Sequence, residues 1–422
     1  MKRHQQWKGA AIVASLLLLG GSQVLAEREQ TRSQSNVPLP QRIAQPSKPV
    51  NPKLVAANTR FGFKLFSELL PQAKGKNVFV SPSSVAIALG MLYNGAAGKT
   101  QQGIAKALEL QGMGLAELNQ SNAGLKALLE NPDPKVQLAI ANSLWGRQGV
   151  DFKPEFLRQN QQFYKAQITA LDFDNPRSLK TINQWVSQAT RGKITEILDQ
   201  IQPDDALFLI NAIYFKGAWS QPFEKSQTRD RPFYLADGKT KQHPRMVQSG
   251  NYRYYETPEF QAVSLPYGQN QRMSLYVFLP KQASSLTSFY KTLTAEQWQQ
   301  WTRQFRNRPG TIELPRFKLE YEVKLNSALT ALGMGSAFER SANFSNLGNV
   351  PMQIDEVKHK TFVEVNEEGT EAAAVTSIGI RITSAPVPQK PFNLVVDRPF
   401  FCALQDNQTG TVLFMGSIVE PK

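Results

Sequence analysis

The chain holds one cysteine and three histidines among its 422 residues, and these two scarcities remove whole classes of chemistry. A single thiol, Cys402, cannot form an intrachain disulfide, so stability has to come from the core. It lies in the strand-like run PFFCALQ, where a buried inert thiol is expected. The histidines are His4, His243 and His359. Scattered in this way beside one cysteine, they build no metal set at the usual spacings, and no metal or cofactor is expected. A Ser-His-Asp hydrolase would need a G-x-S-x-G elbow, and none is present. Neither a P-loop nor a G-x-G-x-x-G follows any strand pattern. The composition therefore argues against an enzyme.

Long apolar runs are also scarce. The exception is AAIVASLLLLGG after the basic MKRHQQWKG, with Val24-Leu25-Ala26 offering small or apolar residues for cleavage. That layout predicts a signal peptide over 1–26 and an exported protein, secreted or periplasmic, with no membrane span once the leader is gone. Residues 27–52 are rich in Gln, Ser and Pro and show no apolar period, so they read as a tether, with a single folded domain over 53–422. The formal charge of +14 drops by three, to +11, when Lys2, Arg3 and Lys8 leave with the leader. The remaining basic residues are dispersed along the sequence, so nucleic acid is not an expected partner.

What is present is a large globular domain, 41% hydrophobic. Leu54, Phe61, Leu65 and Leu69 fall at helical spacing. In VFVSPSSVAIALGMLYNGA, Ser81 or Ser83 can cap a helix that is apolar nearly all round and hence internal. VQLAIANSLWG and ALFLINAIYFKGAW read as central strands covered on both faces, followed by MSLYVFLP, TIELPRFKLEYEV and HKTFVEV. FNLVV, FFCALQ and TVLFMGSIV read as a closing β-meander. Helices dominate early and strands late, which predicts an α+β fold on large sheets.

One segment does not fit a sheet. In 364-EVNEEGTEAAAVTSIGIRITSAPVPQKPF-392, the alternate residues Thr370, Ala372, Ala374, Thr376, Ile378, Ile380 and Ile382 form one face of a strand. Yet the run ends in Pro386, Pro388 and Pro391, as an exposed loop would.

Four runs in order resemble the serpin family: NVFVSPSSVAIALGMLYNGAAGKT (77–100), NAIYFKGAWSQPF (211–223), VNEEGTEAAA (365–374) and DRPFFCALQDNQTGTVLFMGSIVEP at the carboxyl end. The resemblance implies three β-sheets and eight or nine helices, with an exposed reactive loop that a protease cuts. After cleavage the loop's amino-terminal half enters the main sheet as a new strand. Small hinge residues Gly369, Ala372, Ala373 and Ala374, with Thr370 and Glu371, suit an inhibitory member, and Thr370 is expected to be the first side chain to pass into the sheet.

Carried over by residue, the resemblance pairs Glu367 with Arg316, places Trp219 at the point of entry, and groups Ser81, Ser84, Asn211 and His359 in a hydrogen-bonded cluster beneath the sheet. Counting from Glu367 places the cut at Thr383-Ser384, which suits an elastase-like or subtilisin-like target. Arg381-Ile382 is the alternative, for a trypsin-like one. The function implied is a monomeric suicide inhibitor of serine, or cysteine, endopeptidases. The alternative is a non-inhibitory carrier, storage or chaperone-like binding protein.

Overall fold

The computed structural model describes residues 50–130, 132–370 and 390–422. The leader and most of the tether lie outside them, as do Glu371, Ala372, Ala373, Ala374, Arg381, Ile382, Thr383 and Ser384.

The first third is helical. Helix α1 (Pro52–Gln72) begins where the Asn51 side chain accepts the Lys53 amide and Pro52 supplies a ready-set φ. Its predicted face of Leu54, Phe61, Leu65 and Leu69 is buried. Strand β1 (Val78–Val80) leads into α2 (Pro82–Gly95), enclosed on every side except at Tyr93. Helices α3 (Gly98–Ala107) and α4 (Leu115–Glu130) follow. The middle of the chain alternates: β2 (Val136–Arg147), α5 (Pro154–Tyr164), β3 (Gln167–Leu171), α6 (Arg177–Ala189) and β4 (Leu207–Ala218). Next come β5 (Arg229–Tyr234), β6 (Thr240–Glu256), β7 (Phe260–Tyr267) and β8 (Met273–Pro280). Two short helices, α7 (Leu286–Thr292) and α8 (Ala295–Gln304), precede β9 (Arg306–Pro315) and β10 (Phe317–Lys324). After α9 (Asn326–Leu329) and short π- and 3-10-helical turns over 330–337, the remaining elements among the described residues are strands: β11 (Glu356–Asn366), β12 (Gly369–Thr370), β13 (Phe392–Val395), β14 (Phe400–Asp406) and β15 (Val412–Ile418).

These strands form a six-stranded sheet in the order β10-β11-β12-β4-β2-β3 and a nine-stranded one, β1-β15-β14-β8-β7-β6-β9-β13 with β5 on β6. Two hydrogen-bonded sets appear where three sheets were implied because β6 is long enough to serve two layers. It pairs with β5 through Thr240–Arg245, with β9 through Arg245–Tyr254 and with β7 through Arg253–Glu256. Nine α-helices occur among the described residues, and the architecture is α+β.

The expectation for β2 and β4 holds, since both faces of β4 are covered. Leu209, Ile213 and Phe215 face the main core, while Ile210, Ala212 and Tyr214 pack under α6 against Ile182 and Val186. Each large aliphatic side chain enclosed this way contributes roughly 1.5–3 kcal/mol. Two strand expectations change. TIELPRFKLEYEV breaks at Pro315-Arg316 into β9 and β10, which belong to different sheets. FNLVV leaves the predicted meander: β13 runs parallel to β9, and only β14 and β15 form the hairpin. The turn at Asp397–Pro399, where Arg398 donates to the Pro280 carbonyl, redirects the chain between them.

Candidate functional site

The site is the seam between β4 and β11. Phe208–Tyr214 pair in parallel with Glu356–Phe362. Further along, the two strands no longer pair with each other, and β12 fills the space antiparallel to both: Thr370 sits opposite Gly217 and Val365, and Gly369 opposite Ala218 and Asn366. Between these zones, Phe215 and Lys216 face Val363 and Glu364 with no cross-seam pairing among the described residues. A small enclosed void of about 10 Å³ lies beneath, lined by Phe215, Tyr267, Val363, Thr370 and Phe414 among others. The sheet is therefore parted at one end.

Glycine is required at 369. Its φ is +142°, and a Cβ there would stand 2.1 Å from the Gly217 carbonyl oxygen and 2.7 Å from the Ala218 Cα. Thr370 is 1% exposed, and its hydroxyl lies 2.7 Å from that of Tyr267. This corrects the expectation that Thr370 enters only after cleavage: it is already seated, because Gly369 brings the backbone close enough to complete two rungs on each side.

At this end Glu367 is 2% exposed. Burial by itself would raise its pKa. Hydrogen bonds from Arg316 and Thr228 outweigh this and hold the carboxyl below its ordinary range. Arg316 Nε lies 2.7 and 2.8 Å from the two carboxylate oxygens, and its Nη2 donates to one of them as well. The break between β9 and β10 is what points Arg316 here. Trp219 Nε1 donates to the Asn366 carbonyl at 2.9 Å, its amide donates to Glu368, and its ring stacks on Tyr267 at 4.1 Å. Lys225 pairs with Glu368. His243, given no role from sequence, lies 2.6 Å from the Arg316 carbonyl through Nε2; burial lowers its pKa, so the neutral ring donates there. A cleft of about 400 Å³ opens here between His243, Arg316, Lys318 and Glu364.

The second cluster lies midway along the seam. Register places Asn142 of β2, Asn211 of β4 and His359 of β11 in one row across three strands. The Ser81 amide donates to His359 Nε2 at 3.0 Å, so the proton is on Nδ1, which donates to Asn211 Oδ1 at 2.6 Å. Asn211 Nδ2 donates to Ser84 Oγ at 2.6 Å and to Asn142 Oδ1 at 2.5 Å. Complete burial pushes the His359 pKa down to about 3. Ser81 starts α2, but its hydroxyl donates to the Leu413 carbonyl at 2.6 Å and does not cap the helix. Thus Ser81, Ser84, Asn211 and His359 meet in one network, and Glu367, Arg316, Trp219, Gly369 and Thr370 meet at the parted end.

Sequence reasoning missed Asn142, Thr228, Tyr267 and His243. Asn142 carries the same signal as Asn211, an amide inside an apolar run. The others have no local pattern that marks them. Among the described residues there is no His, Cys, Asp and Glu group able to hold a metal ion.

Comparison with known proteins points the same way. Residues 56–421 match the family model described as Serpin (serine protease inhibitor). Leukocyte elastase inhibitor of Bos taurus is 36% identical over 384 residues, covering 87% of this chain and all of that protein. Among solved structures, the thermophilic serpin Tengpin in its native state superposes with a TM-score of 0.81 at 33% identity, covering 88% of this chain and 95% of that one. Human thyroxine-binding globulin complexed with its ligand gives 0.81 at 26% identity, over 88% and 99%.

Proposed function

Since the chain belongs to the serpin family, we propose that it is an inhibitory member: a monomeric suicide substrate that traps serine endopeptidases outside the cytoplasm by inserting its cleaved loop between β4 and β11. The observation that carries this reading is the parted end of the seam. A two-residue strand already lies in register there, with unpaired strand and a void directly ahead of it. To continue past residue 372, a strand has to separate the seven registered positions Phe208–Tyr214 from Glu356–Phe362. One set of cross-strand bonds is lost and two are gained, and the alternate side chains that follow the seated Thr370, Ala372 to Ile382, become buried. Each net hydrogen bond contributes about 0.5–1.5 kcal/mol.

The target protease opens the loop at Thr383-Ser384 and becomes acylated on its own serine. Insertion then competes with water for the ester. An elastase-like or subtilisin-like target follows from the small β-branched Thr383, and the similarity to leukocyte elastase inhibitor supports it. The basic and apolar leader supports export.

The deciding experiment incubates the protein with an elastase, a subtilisin and a trypsin, followed by denaturing electrophoresis. A detergent-stable band combining inhibitor and protease is expected with an elastase or a subtilisin. Clean cleavage with no such band for all three would leave the non-inhibitory carrier or storage role.

A further inference from the structure

Three exposed arginines converge on the carboxyl end of α8. Arg306 Nη1 donates to the carbonyls of Arg303 at 2.7 Å and Phe305 at 3.0 Å, and Arg253 Nη2 donates to Thr302 at 3.3 Å. The Arg303 side chain, on the last turn, makes no hydrogen bond or ion pair among the described residues. Capping the negative end of a helix accounts for part of this arrangement. Arg253 also hydrogen-bonds the Tyr276 hydroxyl, but these contacts leave donors free on both guanidinium groups, and they leave Arg303 unexplained. None of the three has a carboxylate partner among the described residues. Glu256, close by, is taken up by Arg308 at 3.2 Å and Lys281 at 3.7 Å. A globular surface normally intersperses both signs of charge, so three guanidiniums without a carboxylate partner, brought to one helix end from β6, α8 and β9, form a local positive field.

Their position gives that field a use. Arg308 Nε donates to the carbonyl of Lys390 at 3.0 Å, and Phe392 of β13 pairs with Gly310 of β9. The chain therefore returns to the body, after the segment that carries the reactive bond, at the arginine end of β9. Arg306 lies two residues further along the strand, about 7 Å away. From Ser384 to Lys390 the chain spans at most about 20 Å. A protease domain of about 230 residues has a radius of gyration of roughly 17 Å, so an enzyme seated on the reactive bond reaches this surface.

Resting on the inhibitor reading above, the geometry points to Arg253, Arg303 and Arg306 as an electrostatic docking surface for an acidic face of the target protease. The surface acts on encounter: a rim charge raises the association rate without entering the seam. The docked protease is the occupant favoured here, because the anchored loop root brings it to the arginines and no further partner is needed.

The test uses the full chain and two proteases of the same small-residue specificity but opposite net charge. The second-order rate constant of loop cleavage is measured against ionic strength, whether or not the protease is trapped. For the acidic protease, Arg303→Glu should lower this constant about three- to tenfold at low salt, and adding Arg253→Gln should lower it further. The difference should vanish at high salt and be absent or reversed for the basic protease. Dextran sulfate should compete and slow the parent. Equal constants for parent and variants at low salt would overturn the docking surface. Acceleration of the acidic protease by dextran sulfate would replace it with a polyanion site. Normal, salt-sensitive cleavage without a detergent-stable complex would instead sink the inhibitor reading and leave the docking surface standing.

Discussion

The hydroxyls of Thr370 and Tyr267 lie 2.7 Å apart in a wholly buried setting, so the first side chain of the hinge is locked into the sheet while the loop is uncut. Removing one partner strands the other. Tyr267→Phe should therefore destabilise the native form by about 1–3 kcal/mol, through loss of the hinge rungs as well as the bond. Limited proteolysis near residue 370 should accelerate in parallel. Unchanged proteolysis would mean that the Trp219 and Glu367 contacts hold β12 without this bond.

Arg316→Ala tests the other fastening. It leaves the Glu367 carboxylate with Thr228 as its remaining side-chain partner. Because Arg316 is itself 41% exposed beside an open cleft, water partly replaces it, and the cost lies below that of a fully buried pair, at about 1–3 kcal/mol. Native stability in denaturant should fall by about that much, and most of the loss should be restored in Arg316→Ala with Glu367→Gln, which removes the charge without refilling the space of the stem. If the double variant is no better than the single, the cost lies in the packing of the Arg316 stem and not in the orphaned charge.

His359 gives the protein a pH dependence whose sign is fixed. The folded-state pKa, about 3, lies below the unfolded value of about 6.5. The unfolded chain therefore binds the proton first. The stabilisation is complete above pH 6.5 and is lost as pH falls toward 3. Between pH 7 and pH 5 the loss from this group is roughly 2 kcal/mol. Urea titrations at the two pH values should show it, and His359→Gln, which cannot titrate, should flatten that segment while lowering stability overall. An equal drop in the variant would assign the dependence to other groups, with Glu367 contributing only nearer pH 4.5.

How much of this was legible in the sequence depends on whether a residue's role is local. Asn211 and His359 are polar groups inside the apolar runs LINAIYF and HKTFVEV, a signal that can be read from neighbours, whereas their grouping with Ser81 and Ser84, and the small hinge with Gly369, could be named only by resemblance. Arg316 could be named only by resemblance. Its position follows from a break at Pro315 that periodicity had joined into one strand. Tyr267 could not be read at all, since its partner is 103 residues away and a tyrosine at a strand end has many uses. The arginines at the end of α8 were hidden for the same reason: Arg253 comes from β6, and dispersion along the chain does not forbid convergence in space.

The seated hinge also changes where the mechanism is best interrupted. Placing a charge at Thr370 would damage the native fold, because that side chain is already enclosed. Ala372 is the next residue on the same alternating face and lies beyond the described strand, so Ala372→Arg leaves β12 and its contacts intact. When the loop is cut, the arginine has to enter the space beside Phe215 and Val363, over the apolar void, at an effective cost of several kcal/mol for a desolvated charge. Formation of the acyl-enzyme depends on the protease's own serine and should proceed at the parent rate. Insertion slows, water wins the competition for the ester, and the protease leaves active. The variant should be cleaved normally, consume many molecules per protease trapped, and melt within a degree or two of the parent while uncut. Nicking should raise the melting temperature of the parent but not of the variant. Trapping by Ala372→Arg as efficient as that of the parent would show that insertion past the seated hinge is not what stops the protease.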